Sequence, residues 1–252
     1  MNYRFFIAKR YLLAKKDASF ITVISLISIF GVTIGVAALI VVLSVFNGFN
    51  GLVTDILIGF DPHVRIQTTK STTPSDIERL TKDLEKRDII AARSGFVSGK
   101  GMLISKKTTK VIFIRGLETE SISKVSGVTS SLIIGDTKFT RSNNEIVIGY
   151  SLADKLGIGI DDTVYVVTTA GVQNALSGID LPQLFALKVI GIYEAKNKDY
   201  DGLYAFTSLE TSKQLFAAKN IQGMDIRLQS IDKTESFVRS IETEYGEKFI
   251  TQ

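Results

Sequence analysis

The 252-residue sequence contains no cysteine and no tryptophan, only three prolines and a single histidine. Without cysteine there is no disulfide framework, no thiolate metal site and no cysteine nucleophile. One histidine excludes the paired-histidine zinc motifs and leaves His63 as the sole imidazole base. Charge of one sign is equally scarce once the N-terminus is set aside. Arg4, Lys9, Arg10, Lys15 and Lys16 against Asp17 account for the whole net charge of +4, so the other residues balance. A nucleic-acid-binding domain clusters basic charge on its folded part, and this pattern predicts no nucleic-acid partner.

What is abundant is apolar sequence. No charge occurs from Ala18 to Thr54, and residues 20–46 are almost wholly apolar. A membrane span needs about 20 such residues, whereas a cleaved signal peptide has an apolar region of only about 7–15. The segment predicts a transmembrane helix over 20–46, preceded by a basic cytoplasmic segment, 1–19. Five Lys/Arg before the span, and Asp55 and Asp61 after it, place the N-terminus inside and the remainder outside. The uncharged run would be roughly 55 Å long as a helix, more than a bilayer needs. Asn47, Asn50 and nearby glycines therefore predict a stalk over 47–62. Ser28, Gly31, Gly35 and Ala38 recur at helical spacing and would let a second helix approach closely.

From residue 63 the pattern is that of one exported α+β region. Expected strands are 63–69, 89–97, 102–105, 110–115, 145–148, 163–168, 185–193, 202–206 and 224–229. Expected helices are 74–87, 151–156, 209–217 and 233–245. Three chemical candidates have plainer explanations. Gly95…Gly99-Lys100-Gly101 has the wrong spacing for a phosphate loop and lacks Ser/Thr after the lysine, which predicts a β-turn. His63 has no G-x-S-x-G context and reads as a strand-edge structural residue. Asp161-Asp162 suits a turn. None argues for an enzyme, a cofactor or a metal.

One segment stands out. Thr169–Leu184 joins two strands through 16 residues with one charge, Asp180, where a hairpin uses about two to five. Its Val172, Leu176, Ile179, Leu181 and Leu184 predict either a docking surface or a loop folded back on the core.

Several blocks carry a resemblance. Arg10-Tyr11-Leu12, Ile24-Ser25-Leu26-Ile27-Ser28, the run Gly35–Phe49 and Asp61-Pro62-His63-Val64-Arg65-Ile66 resemble the lipoprotein-releasing permeases of the LolC and LolE type. These belong to the ABC-transporter class that includes MacB and FtsX. Glu145–Gly149, Ala153–Gly157, Asp162-Thr163-Val164, Val189–Tyr193 and Asp201–Tyr204 extend the likeness over nearly the whole chain. The resemblance implies an inner-membrane subunit that extracts lipoproteins by mechanotransmission, driven by a separate LolD-like cytoplasmic ATPase. It implies pairing with a second permease copy or a LolE-like paralogue, and delivery to a LolA-like periplasmic carrier. Lipoprotein acyl chains would contact Ile40, Leu43, Val45, Phe46 and Phe49. A carrier-docking hook would match the long loop, with Val172, Gln173, Leu176, Ile179, Leu181, Pro182 and Gln183. The exported region, 63–252, would divide into a porter-like part and a sabre-like middle at about 130–203. Relatives have four spans, so a chain ending at Gln252 reads as a piece of a longer permease. Asp161 departs from the glycine usual before Asp-Thr-Val. The alternative within the class is a mechanotransmission subunit for efflux or for control of a cell-wall hydrolase.

Overall fold

A computed structural model describes Tyr3, Phe6, Ile7, Arg10 and residues 20–105, 108–140, 144–168 and 183–252, with the backbone alone for residues 21, 22 and 50–59. The chain forms two compact units, 1–54 and 55–252.

In the first unit, helix α1 (Phe20–Phe60) holds the one segment of the described residues, Val23–Phe49, that is long and apolar enough to cross a membrane. The hydroxyl of Thr33 donates to the Ile29 carbonyl at 2.7 Å, which satisfies it without water. The helix continues, with its end in the second unit, through the stretch expected to be a stalk. A glycine inside a helix costs only about 1 kcal/mol, so Gly48 and Gly51 do not break it. What ends it is Pro62, whose ring disfavours helical backbone at Asp61.

The second unit is a mixed α/β domain. In chain order it contains β1 (Val64–Thr68), α2 (Pro74–Glu85), β2 (Ile90–Ile104), β3 (Thr109–Leu117), α3 (Ile122–Val125), β4 (Leu132–Gly135), β5 (Glu145–Gly149) and α4 (Tyr150–Leu156). There follow β6 (Thr163–Thr168), β7 (Phe185–Tyr193), α5 (Lys198–Leu203), β8 (Tyr204–Ser208), α6 (Leu209–Leu215), β9 (Gly223–Leu228), α7 (Thr234–Tyr245) and β10 (Phe249–Thr251). The strands run in the order β10-β1-β9-β2-β3-β8-β5-β7-β4, while β6 pairs with both β2 and β7. The pairings β2-β3-β8-β5-β7-β6-β2 thus return on themselves as a closed ring of six strands.

Three apolar clusters hold these parts. One gathers the buried positions of the ring, among them Leu103, Ile112, Ile114, Ile146, Val164, Val166, Leu187 and Val189. A second packs α2 and α7 on β1 and β9 through Ile66, Leu80, Leu84, Ile226, Phe237 and Ile241. The third joins Phe60, Phe96, Leu117, Ile122, Tyr193 and Phe206.

Strand β2 corrects the sequence reading, because two expected strands and a turn are one continuous strand. Its first half pairs with β9 and its second with β3 and β6. The glycines serve packing, not a turn. A Cβ on Gly99 would lie 2.5 Å from the Phe216 ring, and one on Gly101 would lie 2.9 Å from Ile114 Cδ1. The expected strand 202–206 is shifted by two residues, to Tyr204–Ser208. Asn197 caps α5 by accepting from the Asp199 N–H, and that helix runs through Leu203.

Candidate functional site

Two places in the described structure join chemistry to position: the junction where α1 meets the domain, and the stem of the long loop.

The junction is built around Phe60, the last residue of α1 and almost fully buried. Its ring packs on Tyr193, Tyr200 and Phe206 at centroid distances of 5.4, 5.0 and 6.0 Å. Its carbonyl accepts from the Gly127 N–H at 2.8 Å. The hydroxyl of Tyr200 donates to the Asp61 carboxylate. Burial, the bond to Asp61 and the charge of Asp61 together push the Tyr200 phenol well above its ordinary value. The Tyr193 hydroxyl shares its hydrogen between the carbonyls of Tyr200, within α5, and Tyr204, the first residue of β8, each at 3.0 Å. Arg227 donates to the Asp61 carbonyl at 3.0 Å and to the Val125 carbonyl at 3.3 Å.

Below this lies a buried charge cluster. Asp225, 1% exposed, accepts from Arg115 with both oxygens and from Arg65 Nε at 3.2 Å. The Arg115 guanidinium also sits over the Phe96 ring at 4.2 Å. Burial pushes the Asp225 carboxyl upward while Arg115 and Arg65 oppose it. Burial likewise lowers Arg115, and Asp225 offsets that. The cluster ties β1, β3 and β9 together just beneath the end of α1. A small cavity with room for roughly one water opens between Phe60, Pro62, Arg65, Arg115, Tyr200 and Asp225. With Asp61 3.9 Å from Arg65, two arginines face two carboxylates and the charges balance, so the cluster acts as a clamp.

Of the remaining candidates, His63 and the Asp161-Asp162 pair sit at a strand edge and in a turn as expected, whereas Lys100 lies in a strand and not in the expected turn. His63 accepts from the Leu228 N–H through Nδ1 at 3.2 Å, across the strand edge. Burial first, and then the charge of Arg227, lower its pKa. Asp161 takes a positive φ of 67° in a turn, its carboxylate 2.7 Å from Lys188, and Asp162 accepts from the Gly159 N–H at 2.7 Å. Lys100 lies within β2 with its ammonium over the Phe113 ring. No group of three metal-ligating side chains occurs among the described residues.

On α1, Ile40, Leu43, Val45, Phe46 and Phe49 are all exposed. At about 100° per residue they cover more than half of the helix circumference, whereas Ser28, Gly31, Gly35 and Ala38 fall within roughly 80°. A Cβ built on Gly31 or Gly35 would meet nothing within 4 Å.

Of the expected hook residues, Val172, Gln173, Leu176, Ile179, Leu181 and Pro182 lie outside the described residues, and Gln183 is exposed. The stem is described. Strands β6 and β7 are antiparallel neighbours, Thr163 opposite Lys188 through Val166 opposite Phe185. Beyond that, Val167 and Thr168 pair with Met102 and Gly101 of β2. The two strands that flank the long segment are therefore both built into the ring.

Sequence reasoning missed the clamp and the α5 contacts. Asp61 and Arg65 fell within a recognised block, but Arg115 and Asp225 are far away in sequence. The available signal was Asp225 itself, an acid in the interior of an apolar strand, where a carboxylate is costly unless paired.

Residues 25–244 match the family described as the MacB-like periplasmic core domain. The chain belongs to that family, as its resemblance to the MacB class led one to expect. Among curated relatives it is 30% identical over 231 residues to the lipoprotein-releasing system transmembrane protein LolC of Neisseria meningitidis, covering 88% of this chain and 53% of that one. It is 26% identical over 259 residues to LolE of Haemophilus influenzae, covering 100% of this chain and 61% of that one. It thus spans little more than half the length of these relatives. Among solved structures, the periplasmic region of MacB from Actinobacillus actinomycetemcomitans aligns with a TM-score of 0.49 at 14% identity, over 79% of this chain and 93% of that one.

Proposed function

We propose that the chain is the first membrane helix and the exported domain of an ABC permease subunit that releases lipoproteins from the inner membrane. Its N-terminus lies in the cytoplasm and its domain in the periplasm. A separate LolD-like ATPase supplies the work, a second permease chain completes the membrane part, and a LolA-like carrier accepts the lipoprotein at the tip of the β6–β7 hairpin. Acyl chains contact α1 at Ile40, Leu43, Val45, Phe46 and Phe49, and the small residues from Ser28 to Ala38 pack another span. Residues of about 130–203 act as the sabre-like part of the domain.

The observation that carries this reading is the likeness to lipoprotein-releasing relatives, which extends through the helix as well as the domain. The clamp supports the mechanical part. Phe60 is held by three aromatic rings and a backbone bond, so displacement of the helix end displaces the domain core. The test uses the full-length permease with its ATPase in spheroplasts, measuring lipoprotein released on adding purified carrier. Release by the unaltered protein, lost in the Ile179→Asp/Leu181→Asp variant at equal membrane abundance, is the expected result. Carrier-independent transport of another substrate would instead favour an efflux or hydrolase-control subunit.

A further inference from the structure

The aromatic contacts around the end of α1 do not stop in the core. Phe60 meets Tyr200 edge-on at 5.0 Å, Tyr200 stacks on Tyr204 at 4.7 Å, and Tyr204 stacks on Phe113 at 5.3 Å. Exposure rises along this line, from buried Phe60 through half-buried Tyr200 and Tyr204 to Phe113 at 38%. Strand register then extends the apolar surface sideways. Val111 shares the face of Phe113, is 61% exposed and lies directly opposite Met102. Met102 lies opposite Val167 of β6, and Tyr165, two residues before it on the same face, is exposed. The surface thus reaches the stem of the hairpin, where Leu184 is exposed on the returning side.

Folding gives no reason for this stripe, because the opposite face of the same strands already supplies the ring cluster. A contiguous exposed apolar surface marks an interaction site. Its shape selects the occupant. It follows the paired strands β2 and β3, and Lys100, directly opposite Phe113, lays its ammonium over that ring at 5.3 Å, so its aliphatic stem is part of the stripe. A stable protein–protein interface needs about 20–30 residues a side, far more than this. Flat rings and a methionine in single file suit a narrow, flexible aliphatic chain, which gains about 0.8 kcal/mol for each buried methylene.

We propose that Tyr200, Tyr204, Phe113, Val111 and Met102 form a surface track for the acyl chains of the lipoprotein, leading from the end of α1 to the stem of the β6–β7 hairpin. This rests on the lipoprotein-release reading above.

The experiment uses the full-length permease complex in membranes whose lipids and lipoproteins carry alkyne-tagged fatty acids. A benzophenone amino acid is placed at Val111, at Met102, at Phe46 on α1, and at Lys82 on α2 as a surface control. During ATP-driven release, Val111 and Met102 should give tagged adducts that also react with antibody to the lipoprotein, and Lys82 should not. Adducts at Phe46 but none at Val111 or Met102 overturn the track and leave the release reading standing. Absence of lipoprotein adducts at every position overturns both. Tagged adducts without lipoprotein make the occupant a phospholipid, and adducts with the carrier make the face a protein dock; either outcome overturns the proposal. Val111→Glu, a surface change, should slow release roughly tenfold, about the loss of two methylenes of apolar contact. A folded Val111→Glu protein that releases lipoprotein at the normal rate likewise overturns it.

Discussion

At the scale of single residues the domain uses polar groups to fix geometry. His63 is the clearest case, a neutral imidazole accepting a backbone hydrogen bond from Leu228. Its folded pKa lies below the ordinary 6.5, so the unfolded chain takes up the proton first. Its contribution to stability is therefore full above about pH 6.5 and declines as the pH falls through the folded value. Thermal unfolding should show a lower midpoint at pH 5.5 than at pH 7.5, with the difference reduced in His63→Gln. Asp225 should matter more. Its replacement by Ala leaves Arg115 buried beside an apolar ring without its counter-charge, at a cost of about 3–5 kcal/mol in urea unfolding. The role of His63 was legible from its place after Asp61-Pro62 at the start of a strand. The pairing of Asp225 with Arg115 was not, because such contacts depend on which strands become neighbours.

At the scale of elements, periodicity located most strands and the longer helices, and its failures share a physical cause. The glycines of β2 look like turn residues, yet they are small because the Phe216 ring and Ile114 approach the backbone. Helix α5 was hidden because its sequence, Lys198–Leu203, is short, polar and glycine-containing; its order comes from the Asn197 cap and from Tyr193. It also packs tightly on the end of β5. A Cβ on Gly149 would lie 2.3 Å from the Asp201 carbonyl oxygen. Gly149→Ala should therefore push α5 outward and destabilise the domain by about 1–3 kcal/mol. Tyr200 should become more exposed, which quenching of tyrosine fluorescence would detect.

At the scale of the whole molecule, the sequence indicated an apolar helix followed by an α+β region, and the structure agrees. That six strands close into a ring was not legible, since no periodicity says that β6 will pair with β2 as well as β7. The segment most conspicuous in sequence was 169–184, and what the structure describes of it is the strands on either side, β6 and β7. If the helix end is the point where work enters the domain, Phe60→Ala should uncouple the two. ATP hydrolysis by the assembled complex should continue while lipoprotein release falls sharply, measured side by side in the same membranes. The closed ring has one more consequence. The hairpin stem is held on both sides, by β7 and by β2, so the register of the barrel does not depend on what is inserted between Thr168 and Gln183. Doubling that insertion would cost only about 0.6 kcal/mol in closure entropy. The segment between those two residues can therefore change in length and sequence while the ring of strands beside it stays the same.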